Sequence, residues 1–191
     1  MPRKARWTVK LMRIITGSAR GRRLLSPEGF DVRPTTDKVK ESLFNILQFE
    51  LEGREVLDLF AGSGQLGLEA LSRGAKSAVF VDSSPRSLDI VKKNIRLTGM
   101  EAQASAVAGD AFSFLAVTDR KFDLVFLDPP YDHKLIDKAA ALLPRVLKST
   151  SVVVAESRFS EEVPERIGEL AAERTYKYSA IKLTVYRKPA E

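Results

Sequence analysis

The 191-residue sequence predicts an α/β fold on a mostly parallel sheet. Three observations carry this expectation. From residue 55 onward, short apolar runs alternate with stretches of helical period, the pattern of strands joined by crossover helices. The runs, such as "SAVFVD" and "FDLVFLD", are apolar nearly throughout, as in strands covered on both faces. Residues 174–188 instead hold two β-rich runs around a close turn, which predicts an antiparallel hairpin at one edge.

Taken in order, "RIITGSARGRRLLS" reads as a β-hairpin, 14–16 with 22–25, with basic residues at its tip, followed by the loop "PEGFDVRPTT". "TTDKVKESLFNILQFEL" places Val39, Leu43, Phe44, Ile46 and Leu47 at helical spacing, with Thr36 as N-cap. "EVLDLF" is the first strand of the sheet, and "GQLGLEALSRGA" a helix closed by Gly74. "SAVFVD" is the second strand, followed by helix 85–99, with Pro85 in its first turn and Gly99 at its end. "ASAVAGD" and "FDLVFLD" are strands three and four, with a short helix over 111–117 between them. "HKLIDKAAALLPRVL" is a helix interrupted at Pro144, and "SVVVAES" is strand five. The closing hairpin turns near 179–180.

Composition narrows the function. No apolar stretch is long enough to span a membrane, and no signal-peptide pattern follows the basic start. With no cysteine there are no disulfides, thiolate metal sites or cysteine nucleophiles, which suits a cytoplasmic enzyme. The single histidine, His133, reads as a surface residue, and no metal is expected. Charge is uneven: residues 1–40 hold 11 Lys/Arg and 3 acids, a local +8 that leaves −2 for the other 151 residues. A basic front end on a near-neutral body is a footprint for a polyanion.

In an open α/β sheet, ligands sit beyond the carboxyl ends of the strands. Four successive strand ends carry an acid: Asp58, Asp82, Asp110 and Asp128. One such Asp is commonly a turn or cap residue; four in order point to a ligand. "DLFAGSGQLG" places Phe60, Ala61, Gly62, Ser63 and Gly64 where backbone N–H groups come close to that ligand. The G-x-G-x-x-G spacing alone fits several adenosine cofactors, as does Asp82 with Ser83, where an acid accepts ribose hydroxyls. Asp58, ahead of the glycines, suits a cationic ligand better than a pyrophosphate, and S-adenosylmethionine (AdoMet) carries an ammonium and a sulfonium. Asp110, with Ala111, is placed to accept from an adenine amine.

The fourth strand ends in "DPPY", Asp128 to Tyr131, which resembles the [D/N]PP[Y/F] signature of methyltransferases that act on exocyclic amines. A base amine has its lone pair delocalised into the ring and attacks poorly. Acceptors on its N–H bonds, the Asp128 carboxylate and the Pro129 carbonyl, favour a pyramidal nitrogen. Pro129 and Pro130 fix φ and remove two donors, so that carbonyl stays aimed. Tyr131 offers a face on which an extruded base stacks, worth about 1–3 kcal/mol.

Together, "RIITGSARGRRL", "RPTTDKVKESLFNIL", "LDLFAGSGQLGLEALSRGA" and "VFLDPPY" resemble the bacterial RsmD-type methyltransferases from about Arg13 to the final hairpin. The resemblance implies a Rossmann-like, class I AdoMet-dependent fold with a seven-stranded sheet, and an N-terminal β-hairpin that meets RNA. It implies methylation of a guanine N2 amine in 16S rRNA within the 30S subunit, by a monomer. By motif, Asp128, Pro129, Pro130 and Tyr131 become the catalytic loop, and Asp58, Phe60, Ala61, Gly62, Ser63, Gly64, Asp82, Ser83, Asp110 and Ala111 the cofactor pocket. Arg33, Thr35 and Thr36 close over the methionine end, while Arg13, Arg20, Arg22, Arg23 and Lys38 meet phosphates. Three parts follow: a basic, disordered extension over 1–12, a hairpin and loop over 13–34, and the catalytic domain over 35–191. Asp82 stands where relatives often carry Glu, and "MRIITG" resembles the start of many relatives. Three alternatives remain open at this point: a DNA adenine-N6 methyltransferase, a protein-glutamine methyltransferase, and a noncatalytic RNA-binding assembly factor.

Overall fold

A computed structural model describes residues 12–26, 37–131 and 134–189. Residues 1–11 with Trp7, the loop holding Arg33, Thr35 and Thr36, and His133 lie outside the described residues.

One sheet of eight strands dominates the structure. The parallel strands are β3 (Glu55–Leu59), β4 (Ser77–Asp82), β5 (Ala104–Ala108), β6 (Phe122–Leu127) and β7 (Leu147–Arg158). β8 (Arg166–Ile167), β9 (Leu170–Tyr178) and β10 (Ile181–Arg187) complete it in the order β5-β4-β3-β6-β7-β10-β9-β8, with β10 antiparallel to both β7 and β9. The seven expected strands are thus joined by a two-residue edge strand, β8. The chain winds outward from β3 through β4 to β5, then returns so that β6 pairs with the other side of β3. This reversal between β3 and β6 is a topological switch point, where such sheets bind ligands.

Among the described residues, five helices cover the sheet: α1 (Asp37–Ile46), α2 (Gln65–Ser72), α3 (Pro85–Thr98), α4 (Ala111–Val117) and α5 (Leu135–Leu142). Pro144 ends α5 as anticipated, in a 3₁₀ turn over Leu143–Val146. Gly99 closes α3 in the left-handed conformation, and Ser84 is its N-cap, accepting from Ser87 N–H. The two faces of the sheet form separate cores. One holds Val56, Phe80, Phe126 and Val154 with α1 and α2; the other holds Leu57, Val79, Val125 and Val153 with α4 and α5.

The N-terminal hairpin forms, but its ladder joins β1 (Met12–Arg13) to β2 (Arg23–Leu24), earlier on the first arm than expected, with Ile14 N–H bonding Arg22 O at 2.9 Å. The shift follows from docking. Met12, Ile14, Ala19 and Leu24 are buried in the first core, so their facing is set by the body rather than by the turn. Glu69 on α2, fully buried, accepts from Ile15 N–H at 2.8 Å and Thr16 N–H at 3.0 Å, and from Arg73 Nε at 2.8 Å. Lys40 on α1, also fully buried, lies 3.7 Å from Glu69 and donates to Arg13 O at 2.6 Å. A buried charge is tolerable only when so paired. Ser72 adds two more links, accepting from Ala19 N–H and donating to Thr16 O.

Gly17 sits in this dock with φ +89°, and a Cβ there would lie 1.7 Å from Ser72 O. Gly21, at the hairpin tip, has φ +81° but open space around it. Gly21→Ala is expected to cost about 1 kcal/mol, the left-handed penalty alone. Gly17→Ala is expected to cost more than about 3 kcal/mol, since the hairpin must also lift from α2. Urea unfolding of both variants measures the difference, and equal costs would refute the docking.

Candidate active site at the carboxyl rim of the sheet

Strand register lines up Phe80, Asp58, Phe126 and Val154 across β4, β3, β6 and β7. Residues in register share a face, and residues two further along return to it. Asp82, Asp128 and Glu156 therefore stand one step nearer the rim on the face that Asp58 occupies. Asp58 and Asp128 flank the switch point.

Asp58 lies beneath the glycine loop, 2% exposed, with its Oδ2 accepting from Gly67 N–H at 2.9 Å. It serves α2 as an N-terminal acceptor from outside the helix, because the N-cap Gly64 has no side chain to do so. A Cβ on Gly67 would come 2.4 Å from the Phe80 ring and 3.2 Å from Asp58 Oδ2, so only glycine lets α2 seat this closely. Desolvation pushes the Asp58 carboxyl up to about 7, against the pull of the Gly67 bond.

Asp82 pins the loop from the next strand: Oδ2 accepts from Gly62 N–H and Oδ1 from Ser84 N–H, both at 2.8 Å. Each oxygen keeps a further lone pair. Ser83 beside it is exposed. Phe60 leaves β3 at φ +69°, a strained conformation for a non-glycine residue of the kind that clusters at functional sites. Its ring meets Phe112 edge-on at 6.2 Å. Gly62 has open space where a Cβ would point, so the loop leaves room above its backbone. Ser63 is buried and turned inward; its carbonyl accepts from Asn94 Nδ2 at 2.8 Å, and its Oγ approaches the Met12 sulfur at 3.9 Å. Asp110 is exposed and caps α4, with Oδ2 accepting from Ser113 N–H at 2.9 Å, while Ala111 packs into the core.

The catalytic-loop candidates come together on the other side of the switch point. Pro129 is buried, Pro130 exposed and Tyr131 half-buried. Tyr131 Oη donates to Glu156 Oε1 at 2.9 Å, and the Arg158 guanidinium lies 5.4 Å from its ring centroid. The ring is thus held at its hydroxyl and braced by a cation. Desolvation, then the charges of Glu156 and Asp58, raise the Asp128 carboxyl well above the ordinary carboxylate range. Desolvation followed by Glu156 raises the Tyr131 phenol, which stays a donor.

The sequence reading missed three contributors. Glu156, in "VVVAES", is a fifth acid on this face, but it stands two residues before the end of β7, where the strand-end rule that found the other four passes over it. Phe112 follows Asp110 and walls the same corner. Asn94 ties Ser63 to the end of the hairpin, accepting from Leu25 N–H and donating to Leu25 O. Of the basic residues assigned to RNA, Arg13, Arg20, Arg22, Arg23 and Lys38 are all exposed, and Arg13 lies 3.3 Å from Asp37. Arg33, Thr35 and Thr36 lie outside the described residues.

Asp58 generates a stability prediction. Its folded pKa, about 7, exceeds the ordinary 3.8. The folded state therefore binds the extra proton, and that contribution is complete below pH 3.8 and lost as pH rises through 7. Asp58→Asn keeps an acceptor for Gly67 N–H without the charge. It is expected to be more stable than the parent at pH 8, by a few kcal/mol at most, and to keep less than half of that advantage at pH 5. Denaturant melts at the two pH values check this; an advantage independent of pH would contradict it.

Ribosomal RNA small subunit methyltransferase D of Escherichia coli K12 is 34% identical over 182 residues, 94% of this chain and 91% of the relative. The protein of the same name from Haemophilus influenzae is 44% identical over 137 residues, 69% of this chain and 70% of the relative. The solved structure of the Thermus thermophilus 16S rRNA N2 G1207 methyltransferase (RsmC), in complex with AdoMet and guanosine, shares the fold. Its TM-score is 0.78 at 22% identity, covering 99% of this chain and 52% of that one. The family model described as "Conserved hypothetical protein 95" matches residues 12–187, and with these relatives it shows that the chain belongs to the RsmD family of rRNA methyltransferases.

Proposed function

We propose that this chain, an AdoMet-dependent rRNA methyltransferase by its family, modifies the exocyclic N2 amine of a guanine in 16S rRNA, acting as a monomer on assembled 30S particles. One observation carries the reading. At the switch point, a proline-stiffened acid and a braced tyrosine stand across from a glycine loop that acids hold open.

The residues present fit AdoMet. The open space over Gly62, the acceptor positions left on Asp82, and Asp110 two residues from Phe112 suit a ligand with ribose hydroxyls, an adenine amine and no phosphate. Asp58 lies below the loop, so it supports Gly62–Gly64 and lends negative charge to the methionine end rather than lining the surface. Bound there, AdoMet supplies an electrophilic methyl group on a sulfonium. The chain's own residues prepare the acceptor. Tyr131 stacks the extruded base on the side away from Arg158. Asp128 and the Pro129 carbonyl accept from the amine N–H bonds and turn its lone pair out of the ring. Most of the rate comes from positioning, which lowers barriers by as much as about 7–11 kcal/mol. Outside this acidic well, Arg20, Arg22 and Arg23 on the hairpin face the phosphates.

Asp128→Ala is expected to lower transfer of labelled methyl to 30S particles by more than about 100-fold. Its AdoMet affinity, measured by calorimetry, stays within a few-fold of the parent. Full activity in this variant would end the proposal. Mass spectrometry of the modified nucleoside identifies the atom methylated, and a product other than N2-methylguanosine would reject the stated target.

The paired change Arg22→Glu, Arg23→Glu is expected to weaken particle binding. It should also reduce the slope of log affinity against log salt by about two, one for each phosphate that is no longer neutralised. An unchanged slope would remove the hairpin from the RNA interface.

A further inference from the structure

The same rim continues past the catalytic loop onto the antiparallel edge of the sheet. Because β7 runs parallel to β6, its carboxyl end lies beside Asp128; because β10 and β9 reverse in turn, the turn joining them lies there too. Register places Ser157, Lys182 and Lys177 side by side on β7, β10 and β9. They face the side of the sheet that carries α5, toward which the catalytic loop leads.

Two features of this stretch are unfavourable for the folded chain alone. Lys177 and Lys182 are directly opposite each other across an antiparallel pair, an arrangement of like charges that destabilises a sheet. Among the described residues neither has an ion-pair partner. Phe159 is one of few large apolar side chains left open, 49% exposed, and Lys177 Nζ lies over its ring at 4.8 Å. Phe159 N–H bonds Ala180 O at 2.9 Å, which holds the aromatic at the turn. An open aromatic with one lysine over its ring and a second beside that lysine is the makeup of a single-strand nucleic-acid platform: the ring stacks a base and the ammonium groups meet the backbone. At ~4.8 Å per strand, the patch begins about 10 Å from β6.

We propose that Phe159, Lys177 and Lys182 form a second RNA contact, beside the catalytic loop, which grips the unpaired nucleotides flanking the target base. This rests on the rRNA methyltransferase reading. The strand approaching Tyr131 is then held next to the loop, and the cost of unpairing is met partly by stacking on Phe159. Glu161 and Glu162 follow in the next turn and would repel a backbone carried further, so the contact is confined to the rim.

The test uses the full chain, a short unstructured single-stranded RNA as probe, and intact 30S particles. Lys177→Gln with Lys182→Gln is expected to weaken oligonucleotide binding about tenfold near physiological salt and to lower the salt slope by between one and two. The same variant should melt no lower than the parent, since the opposed charges are gone. Phe159→Ala is expected to weaken binding about 5- to 10-fold, and Phe159→Trp to retain it. AdoMet affinity stays unchanged in all three, which shows that they fold. Unchanged oligonucleotide affinity and slope would overturn the proposal, as would a parent chain that does not bind the oligonucleotide. A loss confined to particles would also overturn it and name a ribosomal protein as the occupant. Absence of methyl transfer by the parent would sink the function proposed above, while the oligonucleotide measurements still decide the rim.

Discussion

The bond from Gly67 N–H to the buried Asp58 carboxylate is the constraint on which the site depends. It satisfies a helix donor that the N-cap Gly64 cannot, and it does so from inside the sheet. The absence of a side chain at 67 lets α2 descend onto Phe80. With the helix that close, the link from β3 must climb and turn within a few residues, and Phe60 takes the strained conformation that this turn requires. The open space above Gly62 is thus a consequence of tight packing below it. Asp82 then fixes the loop from the neighbouring strand, so two carboxylates set its shape before any ligand arrives.

The hairpin belongs to the same packed unit. A hairpin of two-residue strands has little stability by itself. Here its apolar residues enter the main core, and its backbone is bonded by Glu69, Ser72, Lys40 and Asn94. Asn94 holds the end of the hairpin and the glycine loop with one buried amide. Displacing the hairpin would leave that amide, and the Glu69–Lys40 pair, unsatisfied in the interior, at about 1–3 kcal/mol for each group left without a partner and more for the charges. The hairpin proposed to meet RNA is therefore as rigidly placed as the glycine loop.

What the sequence disclosed follows from which signals are local. Apolar runs between turn residues located the five parallel strands and the final hairpin, because strands buried on both faces need little but apolar side chains. The strand-end acids and "DPPY" were legible because they break those runs. Glu156 breaks one too, but β7 continues two residues past it to pair with β10, so the acid sits inside a strand rather than at its visible end. Glu69 and Asn94 look like ordinary polar faces of amphipathic helices. Helical periodicity carries no record that a hairpin will cover that face. The hairpin ladder was misplaced for the same reason, since distant contacts choose its register.

The distribution of charge then follows from what each layer must hold. The chain is net positive, yet the rim of its sheet collects Asp58, Asp82, Asp128 and Glu156 on one face. Burial raises the proton affinity of Asp58 and Asp128, so the centre can be acidic in composition without holding several full negative charges at close range. Under the proposed function, phosphates are kept from that centre and meet the exposed arginines of the hairpin, which interact over about a Debye length. A neutral base amine and a cationic methyl donor meet no such barrier. An acidic centre on a chain whose exposed cations lie elsewhere would thereby sort backbone from base by charge before any shape is read, which a uniformly basic cleft would not do.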